Sequence, residues 1–186
     1  MLFFTPKIGR AKILKTNETL MEWNPETNWV FEVGLLEWED AETFSPFPDA
    51  VEGRFDAQLV DFFRESGVPD EQIIYLQDKE ATLETIRESL PELLSETDED
   101  DLLILYFAGH GGGDSDTGKH YCYSYNAQAD DPETYRVISS IFDDIEENFN
   151  GSKALLLADY CYSGGLIDEV KRGDSDISYA CVTSFV

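Results

Sequence analysis

An α/β fold with a mostly parallel central sheet, covered on both faces in three layers, is predicted by three features of the sequence. Strand-length apolar runs alternate with amphipathic stretches of helical period; two of those runs, 102–108 and 154–160, are apolar almost throughout; and both end in polar turns rich in glycine. Parallel strands need crossover connections, which helices supply, and a strand buried on both faces reads as a continuous apolar run.

The elements follow in chain order. Residues 1–27 show no clear period and form an N-terminal segment whose structure the sequence leaves open; 28–186 is read as one domain. "NWVFEVGLLEW" (28–38) reads as a buried strand, followed by a loop broken by Pro46 and Pro48. Phe55, Leu59, Phe62 and Phe63 recur at helical spacing up to Ser66-Gly67, which predicts a helix buried along those residues. "QIIYLQ" (72–77) is a short strand, and 81–94 an amphipathic helix through Leu83, Ile86, Leu90 and Leu94, with Pro91 a candidate kink. The acidic run 95–101 reads as a solvated connection. Strand 102–108, the turn 109–118, an edge strand "HYCYSYN", a helix over 137–149, strand 153–160 and a last strand 177–185 complete the pass.

Composition bounds the function. A chain of 186 residues, 42% hydrophobic and 13% aromatic, is enough for one sizeable core, and no run approaches the eighteen or so apolar residues of a membrane span. Its 39 acidic residues against 13 Lys plus Arg give a net charge of −26, which repels phosphate backbones and anionic lipid. Neither nucleic acid nor membrane is therefore expected as a partner; a solvated acidic surface kept for solubility is an equally good reading of the charge. Cys122, Cys161 and Cys181 are an odd set, and "MLFFTPKIGRAKIL" lacks the features of a secretory signal. The expectation is a reducing, cytoplasmic setting with free thiols.

The ends of the two apolar strands hold the chemistry: "GHGGG" follows 102–108, and "DYCYSGG" closes 154–160. In an open α/β sheet, sites form beyond the carboxyl ends of central strands. If these strands are parallel neighbours, His110 and Cys161 leave the same edge into one cleft. A thiol attacks carbonyl carbon as thiolate, and an adjacent imidazole can take its proton and pass it to a leaving amine. Glycines let backbone amides approach an oxyanion, a role that falls to the amides of Gly111 and Cys161.

"YFAGHG" and "ADYCYSGG", in this order and about fifty residues apart, resemble the histidine and cysteine boxes of the caspase and metacaspase clan of cysteine peptidases, with motifs nearest the bacterial metacaspase-like (orthocaspase) members. The likeness extends over residues 28–186 through "WVFEVGLLEWE", "FDAQLVDFFRESGVP" and "ATLETIRESLPELL". It implies the caspase-like α/β/α sandwich, in its large-subunit-like portion, with His110 and Cys161 as the catalytic dyad. Caspases carry a glutamine two residues before the nucleophile; this chain has Asp159, as metacaspases do, which implies selection of Arg or Lys before the scissile bond. An acid there pairs with a substrate cation and repels a carboxylate. Where metacaspases often have His after the nucleophile, this chain has Tyr162. In the clan, the strand resembling "ISYACVTSF" is followed by further sheet, so a second chain or a C-terminal fragment is expected to complete the fold. Lys171 and Arg172, in what reads as a loop after the nucleophile, are candidate self-cleavage sites.

Other residues invite weaker readings. Cys122 and Cys181 lie in apolar stretches and read as core; His120 reads as a surface or strand-edge residue, since its H-x-C pair with Cys122 lacks the second pair a structural zinc site uses. Asp114, Asp116, Asp130 and Asp131 sit in loops that could line the cleft, but "DSDTG" lacks the features of an EF-hand loop. No cofactor or metal is expected, with calcium, which some metacaspases need, as the open alternative. "GHGGG" lacks the Lys-Ser/Thr of a phosphate loop, and Cys161 stands where a serine-nucleophile turn around Ser163 needs glycine. The sequence thus predicts a cysteine endopeptidase acting on proteins or peptides after a basic residue; the contrasting reading is a catalytically idle caspase-like scaffold or regulatory subunit.

Overall fold

Five strands pair in parallel in the order β2-β1-β3-β7-β8. They are β1 (Asn28–Gly34), β2 (Ile73–Gln77), β3 (Leu102–Ala108), β7 (Lys153–Asp159) and β8 (Ser178–Thr183). The computed structural model describes residues 23–47, 53–173 and 175–184. Most of the N-terminal segment lies outside these residues; Pro25–Thr27 forms one 3-10 turn that leads into β1.

Alternation along the strands assigns the two faces. Phe31, Val33, Leu103, Leu105, Phe107, Ala154, Leu156 and Ala158 point into the larger core. The helices α2 (Leu83–Ser95) and α3 (Ile138–Asn148) cover that face, burying Ile86, Leu90, Leu94, Ile141 and Ile145. α2 starts on Thr82, whose hydroxyl accepts from the Thr85 amide, and runs unbroken through Pro91. On the opposite face Val30 and Ile104 meet Phe63 of α1 (Phe55–Glu65). Strand positions thus alternate between two helical layers, and the expected three-layer architecture results.

Several elements differ from the sequence expectations. α1 buries Asp56, Val60 and Phe63, while Phe55 and Phe62 stand 81% and 56% exposed. Its inward stripe is rotated from the apolar one because Asp56 has buried partners, described below. "HYCYSYN" does not form an edge of the main sheet. Its first residues belong to β5 (Lys119–Tyr123), the middle strand of a small antiparallel sheet with β4 (Gly111–Asp114) and β6 (Tyr135–Val137). The region after Cys161 is helical rather than a loop: α4 (Gly165–Arg172) includes both Lys171 and Arg172. The acidic connection is partly internal, since Thr97 and Asp101 are buried and Asp101 accepts from the Trp29 indole at 2.7 Å.

Candidate active site

β3 and β7 are adjacent and in register, with Ala108 opposite Asp159. Beyond that row the two chains part. Gly109 donates its amide to the Asp159 carbonyl at 3.2 Å and turns with φ +148°, a region that side chains with a Cβ rarely adopt. His110 follows at the sheet edge.

The imidazole is held on three sides. Its Nε2 lies 2.8 Å from the Ser45 carbonyl oxygen. A carbonyl only accepts, so Nε2 carries the hydrogen, and in the neutral ring the lone pair is on Nδ1. Trp38 and Phe47 flank the ring, with centroids 4.4 and 4.5 Å away. Both flanking residues and Ser45 come from the segment between β1 and α1, which therefore acts as a bracket for His110.

Cys161 opens the turn between β7 and α4 and is exposed, unlike Cys122, which is buried, and Cys181, half-buried on β8. The turn is tight. Tyr162 takes φ +64°, Tyr160 is buried beneath, and Ser163 and Gly165 donate amides to the carbonyls of Tyr160 and Tyr162. A cleft of about 420 Å³ joins the two strand ends, lined by Leu36, Phe47, His110, Asp159, Tyr160 and Cys161. Thus three of the expected site residues share one cavity. The fourth, Gly111, lies directly beneath: a Cβ there would be 2.4 Å from the Cys161 carbonyl oxygen and 2.3 Å from the Tyr160 ring.

The sheet edge beside Asp159 is acidic. No Lys or Arg among the described residues pairs with Asp159. Burial pushes the Tyr106 phenol up, reinforced by the charges of Asp159, Glu32 and Asp56. Asp56 lies over Gly34, where a Cβ would stand 1.7 Å from its Oδ2; it pairs with Arg54 at 2.6 Å and accepts from Tyr75 at 2.8 Å. Burial works to raise the Asp56 carboxyl, but the hydrogen bonds of Arg54 and Tyr75 outweigh it and hold the group below its usual range. Glu32, fully buried on β1 opposite Tyr106, two rows below Gly34, has neither carboxyl oxygen hydrogen-bonded among the described residues. Asp56, Glu32 and the Trp38–Phe47 bracket had no part in the sequence reading of the site. The only signal was Glu32, the one charged residue in the otherwise largely apolar β1; Asp56 shares α1 with Asp61, Arg64 and Glu65 and did not stand out.

The remaining candidates lie elsewhere. Asp114 accepts from the Asp116 amide and the Thr117 hydroxyl, whose bond holds its carboxyl below the usual range, and Asp131 accepts from the Glu133 amide; neither they nor Asp116 and Asp130 line the cleft. His120 is half-buried against Gly165, and Cys122 points its thiol at the Arg136 carbonyl. Among the described residues no three or more His, Cys, Asp or Glu converge as metal ligands, so no calcium-binding set is assigned. No helix there is long and apolar enough to cross a membrane. Arg172 pairs with Glu169 at 2.7 Å on the surface of α4, outside the cleft.

Known proteins resemble this chain in sequence and in fold. Metacaspase-4 of Arabidopsis thaliana is 31% identical over 121 residues, 57% of this chain and 27% of the relative; Metacaspase-7 of the same plant is 32% identical over 129 residues, 61% and 29% respectively. The chain thus matches less than a third of the length of these curated relatives. The crystal structure of protein GSU0716 from Geobacter sulfurreducens superposes with a TM-score of 0.50 at 14% identity, covering 84% of this chain and 57% of that one, a likeness of fold. The family described as Caspase domain matches residues 56–183, a span holding both strand ends and the turn of Cys161, and the chain belongs to that family of peptidases.

Proposed function

We propose that the chain is a cysteine endopeptidase that cleaves proteins or peptides after Arg or Lys. The observation that supports this reading is the shared cleft: His110, Cys161 and Asp159 line one cavity at the ends of paired strands. In this scheme Nδ1 of His110 takes the thiol proton, because Nε2 is occupied at Ser45. The Cys161 sulfur attacks the substrate carbonyl, and the amides of Gly111 and Cys161 receive the oxyanion. His110 then returns the proton to the leaving amine, and water hydrolyses the acyl-enzyme. Asp159, exposed and without an ion-pair partner among the described residues, receives the cation of the substrate side chain, whereas Asp56 is already committed to Arg54.

Among the described residues β8 lies at the outer edge of the sheet, with Val182 60% exposed, and such an edge offers backbone groups for pairing. A second chain or a C-terminal segment pairing there would complete the wall of the cleft, the partner role we assign. Self-cleavage after Lys171 or Arg172 requires the last turn of α4 to unwind, since both residues are helical. The test of the function is incubation with fluorogenic peptides ending in Arg, Lys or Asp, with Cys161→Ala as the blank. Release after Arg and Lys, absent in the blank, is expected. Release after Asp in preference to Arg overturns the assigned specificity, and no Cys161-dependent release from the protein supplied with its completing segment favours the idle scaffold.

A further inference from the structure

Asp78 is an unusual residue for a surface turn. It is 9% exposed and is one of three non-glycine residues, among those described, held at positive φ, +47° in its case. Side chains with a Cβ adopt this conformation rarely, Asn and Asp more readily than most, and surrounding bonds help to hold it. The bonds are present. Its Oδ1 accepts from the Leu36 amide at 2.8 Å, and its Oδ2 pairs with Arg54 Nη1.

These bonds continue to the imidazole. Leu36 returns its own carbonyl to the Phe47 amide at 2.8 Å, and the Phe47 ring packs on His110. Arg54 also donates to the Gly34 carbonyl at 2.8 Å, so its guanidinium joins the residue where β1 ends to the residue just before α1. The segment between them supplies every group that brackets His110: Trp38, the Ser45 carbonyl and Phe47. It has no helix or strand of its own among the described residues, so its shape depends on such ties.

We infer that Asp78, with Arg54, is a positioning residue for His110: its carboxylate fastens Leu36, Leu36 fastens Phe47, and the pair hold the Ser45 carbonyl where it fixes the imidazole tautomer. Asp78 touches neither the cleft nor the reacting atoms. Its effect is to keep Nδ1, rather than Nε2, as the ring's free base. The catalytic part of this inference rests on the peptidase reading above, whereas the link from Asp78 to the tautomer does not.

Two arms test it. In the unaltered protein, hydrogen exchange should find the Leu36 and Phe47 amides at least about tenfold slower than those of Glu37 and Ser45, which lack such acceptors; equal rates overturn the tether. The second arm is Asp78→Gly, which tolerates φ +47° but lacks the carboxylate, beside Asp78→Asn, which keeps an oxygen for the Leu36 amide. Ring nitrogen NMR of His110 should show one tautomer, protonated at Nε2, in the parent and in Asp78→Asn, and a mixture in Asp78→Gly. With a cleaved peptide, kcat should fall about tenfold or more in Asp78→Gly at little-changed KM and recover largely in Asp78→Asn. An unchanged tautomer in a folded Asp78→Gly overturns the proposal. If the protein cleaves nothing, the NMR and exchange results still decide it, so failure of the peptidase reading is recognisable as such. Should Asp78→Gly not fold, the exchange measurement decides the tether and Asp78→Ser, read by the same NMR, decides the link to the tautomer, an unchanged tautomer overturning it.

Discussion

The α-carbon of Gly111 sits against the main chain of Cys161, so that a single methyl group on it would stand 2.4 Å from the Cys161 carbonyl oxygen. Residue 111 follows the histidine and residue 161 is the candidate nucleophile, so this contact sets how closely the two strand ends approach. Gly111→Ala should force them apart. Overpacking of this kind costs about 1–3 kcal/mol, and displacement of reacting groups by an ångström can cost about 10²-fold in rate. Thermal unfolding and peptide cleavage measured together are expected to show a modest loss of stability and a much larger loss of activity. Parent-like activity would mean the strand ends tolerate separation.

Asp159 carries the specificity argument. Asp159→Asn preserves shape and removes the charge, so kcat/KM for Arg and Lys peptides should fall about 10- to 100-fold, the scale of a charge-assisted hydrogen bond. A neutral residue at the same substrate position should be affected far less. Equal losses for charged and neutral substrates would assign Asp159 to the architecture of the turn instead.

Much of this site was legible in the sequence for a simple reason. Parallel strands covered by helices on both faces read as near-continuous apolar runs, so the ends of β3 and β7 were readable, and parallel register then brings residues 108 and 159 into one row. What surrounds His110 was not readable. Ser45 lies 65 residues away along the chain and acts through its carbonyl, which any residue type possesses. The face of α1 was misjudged because the apolar period points through Phe55 and Phe62, whereas the helix turns Asp56 inward, where Arg54 and Tyr75 satisfy it. A buried acid whose partners come from other elements leaves no periodic trace. α4 was missed because it is eight residues long and follows a tight turn rather than a conventional capping residue.

Glu32 makes stability depend on pH. Burial first, and the charge of Asp56 second, push its carboxyl from the ordinary 4.5 up to about 9. Between those values the native state holds a proton that the unfolded chain has released, so stability falls as pH rises through this window. Glu32→Gln removes the effect. The variant should match the parent most closely near pH 4, exceed it by about 3 kcal/mol at pH 7, and widen the gap up to about pH 9. Urea unfolding at pH 4, 7 and 9 checks this, and a gap independent of pH would show that Glu32 is ionised in the native protein.

In the proposed function His110 and Cys161 act as one unit in a cleft that accepts a basic side chain. Burial pushes the Cys122 thiol up to about 12 and raises that of Cys181 as well, which leaves both poor nucleophiles near neutral pH. The most direct measurement is peptide mapping by mass spectrometry after brief treatment at pH 7 with a peptidyl-arginine acyloxymethyl ketone, in the parent and in His110→Ala. One adduct on Cys161, formed at least about tenfold more slowly in His110→Ala, is the predicted result. Labelling of Cys161 at the same rate in both proteins, or no labelling of Cys161 at all, would contradict the account.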